Sequence, residues 1–203
     1  MTDRAEELEA VAEAIDTISL EAAKAAMAAS SEEYLRWADI FSLRLMTIEP
    51  SEIHKFARAL ALTMLGHLPT RPNTCPFCIQ YGKDRNCQGC GYALTHSRCD
   101  CIDSSFSIFI EAFQELGRAI YQDIGENKSM PKEAKAMMYA WLENSIKITS
   151  EMKEDLVNVS CQQLMERKAC YLNGMICTIP LVFFSEEVWE KCRCVRIALN
   201  DYW

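Results

Sequence analysis

The chain contains few of the residues that form flexible linkers and few of the motifs that mark common enzymes. Only 7 of its 203 residues are Gly and 6 are Pro, while 50% are apolar and 25% are charged. This composition is typical of a globular, helix-rich protein rather than a disordered one. The sequence has no glycine-rich phosphate loop, no G-x-S-x-G and no H-E-x-x-H motif. It therefore favours a protein that is not an enzyme, although a Cys–His pair brought together by folding stays open.

Long apolar runs and a leader-like N-terminus are also missing. The longest apolar run, residues 175–184, is interrupted by Thr178 and Pro180 and is shorter than the roughly 20 residues that span a membrane. The sequence MTDRAEELEA is polar and acidic, unlike a secretory signal peptide. We therefore expect a cytoplasmic protein without a membrane segment. Its eleven cysteines are then metal ligands, redox thiols or buried side chains rather than disulfides.

Positive charge is scarce over most of the chain. The net charge is −8, to which residues 1–70 contribute −6, residues 71–103 contribute +1 and residues 104–203 contribute −3. Nucleic-acid binding depends on neutralising phosphates, so this distribution disfavours a nucleic-acid partner. The middle segment has four cations that form at most a small basic patch: Arg71, Lys83, Arg85 and Arg98.

Apolar periodicity predicts a mainly α fold. Apolar residues recur at steps of three and four through most of residues 3–65 and 104–200, which is the spacing of a buried helix face. The segment between them is short and rich in cysteine. We therefore predict a helical bundle interrupted by a small metal-binding insert, with an N-terminal helical segment (1–70), the cysteine-rich insert (71–103) and a C-terminal helical segment (104–203). The two helical segments are expected to pack together as one domain.

Local signals predict several helix boundaries. Ser30 with Glu33 three residues later resembles a capping box and predicts a helix start. Residues 150–170 are expected to form one helix, whereas residues 171–184 contain β-prone side chains that are compatible with an extended segment. Ser185 is expected to cap a last helix that runs to about residue 200.

Two closely spaced cysteine pairs are the strongest chemical signal in the sequence. Cys75 and Cys78 are separated by two residues, and so are Cys87 and Cys90, with eight residues between the pairs. Each pair can bind one edge of a tetrahedral metal ion, and a short tether lets the two edges meet. The predicted metal ligands are these four thiolates, which form a closed, structural site with no position for water. Gly91 is expected to adopt a positive φ where the second turn ends.

These pairs resemble the knuckles of short zinc-ribbon modules, which read CPxC and CxxCG. The corresponding residues are CPFC at 75–78 and CQGCG at 87–91, and the resemblance covers only residues 75–91. It implies a zinc-binding fold rather than an activity. Ile79 follows the first knuckle where the ribbon pattern has glycine, so that knuckle departs from the pattern. Zinc is accordingly the predicted cofactor, with iron or a [4Fe–4S] cluster as the alternative at the same cysteines.

Three further residues near these pairs are possible additional ligands. His96, Cys99 and Cys101 follow within eleven residues of Cys90. Cys99 or His96 could replace one of the four thiolates, or the group could help to bind a second metal or a cluster. Alternatively, they pack beside the site as a buried histidine and small apolar thiols.

The remaining cysteines do not form a recognisable ligand pattern. They are Cys161, Cys170, Cys177, Cys192 and Cys194. In a helix, Cys192 and Cys194 would project about 200° apart, so they are not expected to share an ion. These cysteines are interpreted as scattered buried thiols. A second site that uses Cys170 and Cys177 around a turn at residues 173–174 stays open.

The preferred function is that of a non-enzymatic, metal-binding adaptor or subunit. The closed four-thiolate set, the acidic surface and the missing catalytic motifs favour a module that braces the helices and offers a rigid surface to a protein partner. The alternative is a redox or electron-transfer protein that binds iron at the same thiolates. A nucleic-acid-associated regulator and a metal-dependent hydrolase are weaker hypotheses. No oligomeric state is predicted.

Overall fold

The protein is built from α-helices, as the apolar periodicity predicts. The computed structural model describes residues 2–82, 87–125, 133–154 and 156–203, and no strand occurs in these ranges. None of the helices in these ranges has the length and apolar character needed to cross a membrane. The helices are α1 (Thr2–Glu13), α2 (Thr17–Thr47), α3 (Ile53–His67), α4 (Pro76–Tyr81), α5 (Gly91–His96), α6 (Ser105–Gln122), α7 (Ala134–Glu154), α8 (Cys161–Thr178) and α9 (Glu186–Leu199).

The predicted helix start at Ser30 is wrong, because α2 continues through it as one 31-residue helix. The Ser30 hydroxyl donates instead to the carbonyl oxygen of His67 at 2.6 Å, which ties α2 to the end of α3. The Glu33 carboxylate forms an ion pair with Arg36 at 2.8 Å. Alanine-rich sequence on the N-terminal side has a high helix propensity and allows the helix to continue past the capping signature.

The expectation of an extended segment at residues 171–184 is wrong for residues 171–178, which belong to α8, whereas the residues after Thr178 leave the helix. A capping box opens this helix: the Ser160 hydroxyl accepts the N–H of Gln163, and the Gln163 side chain accepts the N–H of Ser160. The predicted single helix at 150–170 is accordingly the end of α7 and the beginning of α8. The β-prone side chains are buried at helical spacing, and tertiary burial decides the conformation here. The buried residues of this part of α8 are the β-prone Tyr171 and Ile176 together with the helix-forming Leu172 and Met175.

The N-terminal and C-terminal helices pack directly on one another. α2 packs against α7 and α3, α3 packs against α6, and α9 packs most extensively against α6. The cysteine-rich residues lie on one side of this bundle, where α5 contacts α1 and α4 contacts α2. The last predicted helix is confirmed as α9, directly after Ser185. The insert is therefore supported by α1 and α2, by α8 and by the residues that follow α9.

A buried carboxylate joins three parts of the chain at the C-terminal end of α6. Asp123 follows α6 and accepts the N–H of Ser185 at 2.7 Å and the N–H of Gly125 at 2.9 Å. His54 in α3 donates its Nε2–H to the same carboxylate at 3.0 Å. Burial by itself would raise the pKa of Asp123, but these hydrogen bonds outweigh it and hold the pKa below its usual value.

We expect Asp123→Asn to destabilise the fold by about 1–3 kcal/mol at neutral pH, because an amide N–H₂ would face donors that now bind a carboxylate. The folded-state pKa of Asp123 is lowered. The stabilising contribution of Asp123 is therefore present above the unfolded pKa of about 3.9 and is lost as pH falls through the folded value.

Urea unfolding between pH 3 and 7 measures the free energy of unfolding on which this prediction depends. The wild type should lose more stability than the variant in acid, whereas Asp201→Asn, at an exposed position, should change little. Parallel pH curves for wild type and Asp123→Asn would contradict this role.

Candidate metal centre

The first cysteine pair lies at the beginning of a short helix. Cys75 is the N-cap of α4, and Pro76 occupies the first helical position, where its missing N–H is not needed. The Cys75 side chain makes no cap hydrogen bond, but the nearby backbone N–H groups of Phe77 and Cys78 help the Cys78 thiol to lower the pKa of Cys75. Backbone N–H groups near a sulfur favour its thiolate form, which is the form that binds a metal.

The second pair forms a tight turn that leads into another short helix. The N–H of Cys90 donates to the carbonyl oxygen of Cys87 at 3.1 Å, and both Cys87 and Gly89 have positive φ, 45° and 77°. Cys90 is the N-cap of α5 without a side-chain cap hydrogen bond, and burial raises its pKa while the nearby backbone of Ala93 and Tyr92 opposes this. Both pairs therefore open helices in the described residues, and the β-structure of a zinc ribbon is not shown.

Gly91 is not required for the reason that the sequence predicts. Its φ is not positive, since Gly89 and Gly125 are the described glycines in that region. A Cβ on Gly91 would instead lie 2.2 Å from Cβ and 2.6 Å from Cγ1 of Val11. Glycine is needed here because α5 approaches α1 too closely for a side chain.

Five thiols of the insert lie in one electrostatic neighbourhood. They are Cys75, Cys78, Cys87, Cys90 and Cys99. Negative charge at Cys75, Cys90 and Cys87 each raises the pKa of Cys99, and negative charge at Cys75 and Cys99 raises the pKa of Cys78. Cys99 is thus within electrostatic range of all four predicted ligands, which is a longer range than metal coordination requires.

In the first pair, a hydrogen bond from the Cys78 thiol lowers the pKa of Cys75, against the opposing effect of burial and with help from Lys168. The same hydrogen bond, together with burial, raises the pKa of Cys78 well above its usual value. Burial raises the pKa of Cys90 and raises that of Cys99 to about 12. These buried thiols need a cation to become thiolates.

Two residues of α8 belong to this neighbourhood, and sequence reasoning missed both. Cys161 is buried, and a negative charge at Cys75 raises its pKa. Lys168 is fully buried, and its Nζ donates to Thr74, the residue directly before Cys75. Burial lowers the pKa of Lys168, whereas negative charge at Cys75, Cys78 and Cys99 opposes this effect. A signal for Lys168 was available, because it occupies a position on the apolar stripe of α8, seven residues after Cys161 and seven before Met175. A lysine on a buried helix face requires an electrostatic reason.

The other candidate ligands of the insert have different surroundings. His96 is buried, its ring stacks on Tyr92 with centroids 4.1 Å apart, and its Nδ1 lies 2.7 Å from the Thr95 hydroxyl. The ring of Trp203 lies 6.3 Å from it on a nearly parallel plane. Cys101 is partly exposed in a turn closed by its own N–H. The structure thus places His96 in an aromatic stack and Cys101 in a partly exposed turn.

The C-terminal cysteines outside this neighbourhood are dispersed. Cys170 and Cys177 are both exposed on α8, and the turn expected at residues 173–174 does not exist, because α8 continues through it. Cys192 is buried in α9, where burial raises its pKa to about 12, and Cys194 is partly exposed. The interpretation of these thiols as uniformly buried is therefore wrong for the two exposed ones.

The described side chains do not form a closed ligand set. Among the residues that the structure describes, no group of three or more His, Cys, Asp or Glu side chains is close enough to hold one ion. Lys83 and Arg85 of the expected basic patch lie outside the described residues. The chemistry of the donors nevertheless fits a thiolate-binding metal, because soft cysteine sulfurs are the side chains that such metals prefer.

Comparison of the chain with models of protein families, with curated proteins and with solved structures found no match. The resemblance to zinc-ribbon knuckles is accordingly confined to residues 75–91. The function is therefore inferred from the residues and contacts of this chain.

Proposed function

We propose that the protein is a non-enzymatic, metal-binding adaptor or subunit whose insert binds one zinc ion. The proposed ligands are Cys75, Cys78, Cys87 and Cys90, and Cys99 is an additional candidate ligand. The observation that supports this proposal is that Cys99 lies within electrostatic range of both pairs, and that Cys90 of the second pair lies within range of Cys75 of the first.

Zinc suits this donor set better than harder metals. Thiolates favour zinc, copper(I) or iron–sulfur chemistry, and a four-cysteine zinc site is structural because no coordination position remains for water. The backbone N–H groups at Cys75 and Cys90 stabilise negative sulfur without providing a catalytic base. Metal binding would supply the positive charge that the buried thiols lack, so its free energy would also be folding free energy.

The proposed adaptor role rests on the outer surface of the insert. Leu94, which is 80% exposed, and Ile102, which is 84% exposed, project from it. Exposed apolar side chains on a rigid, metal-stabilised element are suited to docking on a protein partner. The acidic net charge of −8 favours such a partner over nucleic acid.

Metal analysis of anaerobically purified full-length protein, combined with a visible spectrum, tests this proposal. We expect one equivalent of zinc and no visible absorption. Stoichiometric iron with visible absorption would replace the proposal with the redox alternative at the same cysteines. If the reduced protein lacks metal as purified and also fails to bind added zinc in a competition titration, the metal-binding function is wrong.

A further inference from the structure

Lys168 is a buried cation without a carboxylate partner in the described part of the chain. Its side chain is 1% exposed, although it lies in the middle of α8. Its Nζ donates to the carbonyl oxygen and to the hydroxyl of Thr74, each at 3.2 Å. The ring of Tyr202 lies 5.7 Å from the same atom. These contacts provide two neutral acceptors and an aromatic face, but no full negative charge.

A buried ammonium group without an anion is strongly unfavourable, so such groups are normally paired or neutral. The ionisable side chains whose charges act on Lys168 are Cys75, Cys78 and Cys99. An ammonium group has three N–H donors, and two of them bind Thr74. The third has no hydrogen-bond partner among the described residues and is available to a sulfur of the insert.

We propose that Lys168 is a functional part of the metal centre, where its ammonium group compensates the negative charge of the metal-bound thiolates and donates a hydrogen bond to one of them. This inference rests on the proposed metal-binding function. A divalent ion with four thiolates carries a charge of −2, and one buried cation reduces the net charge of the neighbourhood to −1. In this role Lys168 donates to a thiolate rather than binding the metal, so it is a residue that tunes the centre.

The role predicts opposite effects of one substitution on the two states of the protein. Lys168→Met keeps an unbranched chain of similar length and removes the charge. In metal-bound protein it should weaken zinc affinity by about 10–100-fold, which is the usual effect of losing a group that supports metal ligands. In metal-free, reduced protein it should leave the melting temperature unchanged or raise it, because an apolar side chain replaces a buried ion.

Zinc competition with a chromophoric chelator and thermal melting of the full chain, with and without zinc, measure both effects. Lys24→Met is the matched control, because Lys24 is also largely buried but has a carboxylate partner in Glu21 at 2.8 Å. It should leave zinc affinity unchanged. Lys168→Arg preserves the charge and should retain more zinc affinity than Lys168→Met.

The outcomes separate this inference from the proposed function. Wild-type protein that binds no zinc overturns both. Wild-type protein that binds zinc, together with Lys168→Met of equal affinity, overturns only the role of Lys168. Charge compensation is wrong if Lys168→Met lowers the melting temperature of the metal-free and zinc-bound forms equally. It is also wrong if Lys168→Met and Lys168→Arg lose zinc affinity equally. In both cases the residue acts through packing. If Lys168→Met does not fold, a Lys168→Arg variant that folds but loses zinc as severely as a ligand variant also contradicts the inference.

Discussion

Cys90→Ser should abolish stoichiometric zinc binding and unfold at a markedly lower temperature than the wild type. Serine is a poor zinc ligand, and loss of a structural metal belongs to the small class of changes with large effects on stability. We expect a loss of about 3 kcal/mol or more, which corresponds to roughly 6–12 °C in Tm for a chain of this length. Cys78→Ser should behave similarly. Metal analysis and calorimetry measure the two effects.

A chelator distinguishes lost metal from lost packing in this experiment. If the effect comes from zinc, wild type and Cys90→Ser should melt at nearly the same temperature once zinc has been removed under reducing conditions. Cys192→Ser is the matched control, because Cys192 is also buried but lies in α9, outside the five-thiol neighbourhood. It should keep one equivalent of zinc. Full zinc content in Cys90→Ser, or a missing equivalent in Cys192→Ser, would show that the ligand assignment is wrong.

The second large effect is expected at Gly91, where the insert meets the N-terminal helix. Gly91→Ala should destabilise the protein by about 1–3 kcal/mol, because the new methyl group would overlap Val11. The overlapping atoms are Cβ and Cγ1 of a β-branched side chain, so α1 and α5 must move apart. Because Gly91 adjoins Cys90, we expect zinc affinity to fall as well. Denaturant unfolding and zinc competition measure these changes.

Gly117→Ala makes the same chemical change with the opposite expected sign. Gly117 lies in the middle of α6, and a Cβ there would meet no atom within 4 Å. Alanine should therefore stabilise the helix by roughly 0.5–1 kcal/mol. If Gly91→Ala were as stable as the wild type, the close approach of α1 and α5 would not hold in solution.

The mainly α fold could be predicted from the sequence, because the spacing of apolar residues indicates the buried face of a helix. The ends of individual helices were harder to predict wherever two local signals competed. Ser30 and Glu33 carry a valid capping signature, but the helix-forming residues around them allow α2 to continue. The β-prone side chains of residues 171–176 are consistent with a strand until their burial on one face of α8 is known. Local preference is weaker than tertiary packing at both places.

The cysteine spacing by itself determined that residues 75–90 present two paired sets of thiols, because ligand geometry at a metal depends mainly on positions close in the chain. Only the tertiary structure decided which distant groups join them. Cys99 comes from a following turn, and Lys168 lies 94 residues from its partner Thr74. The tertiary structure also explains why residue 91 is glycine, because a neighbouring helix leaves no room for a Cβ and no special backbone angle is involved. Burial and charge compensation arise only when helices that are distant in sequence pack together. They therefore cannot be predicted from short stretches of the sequence.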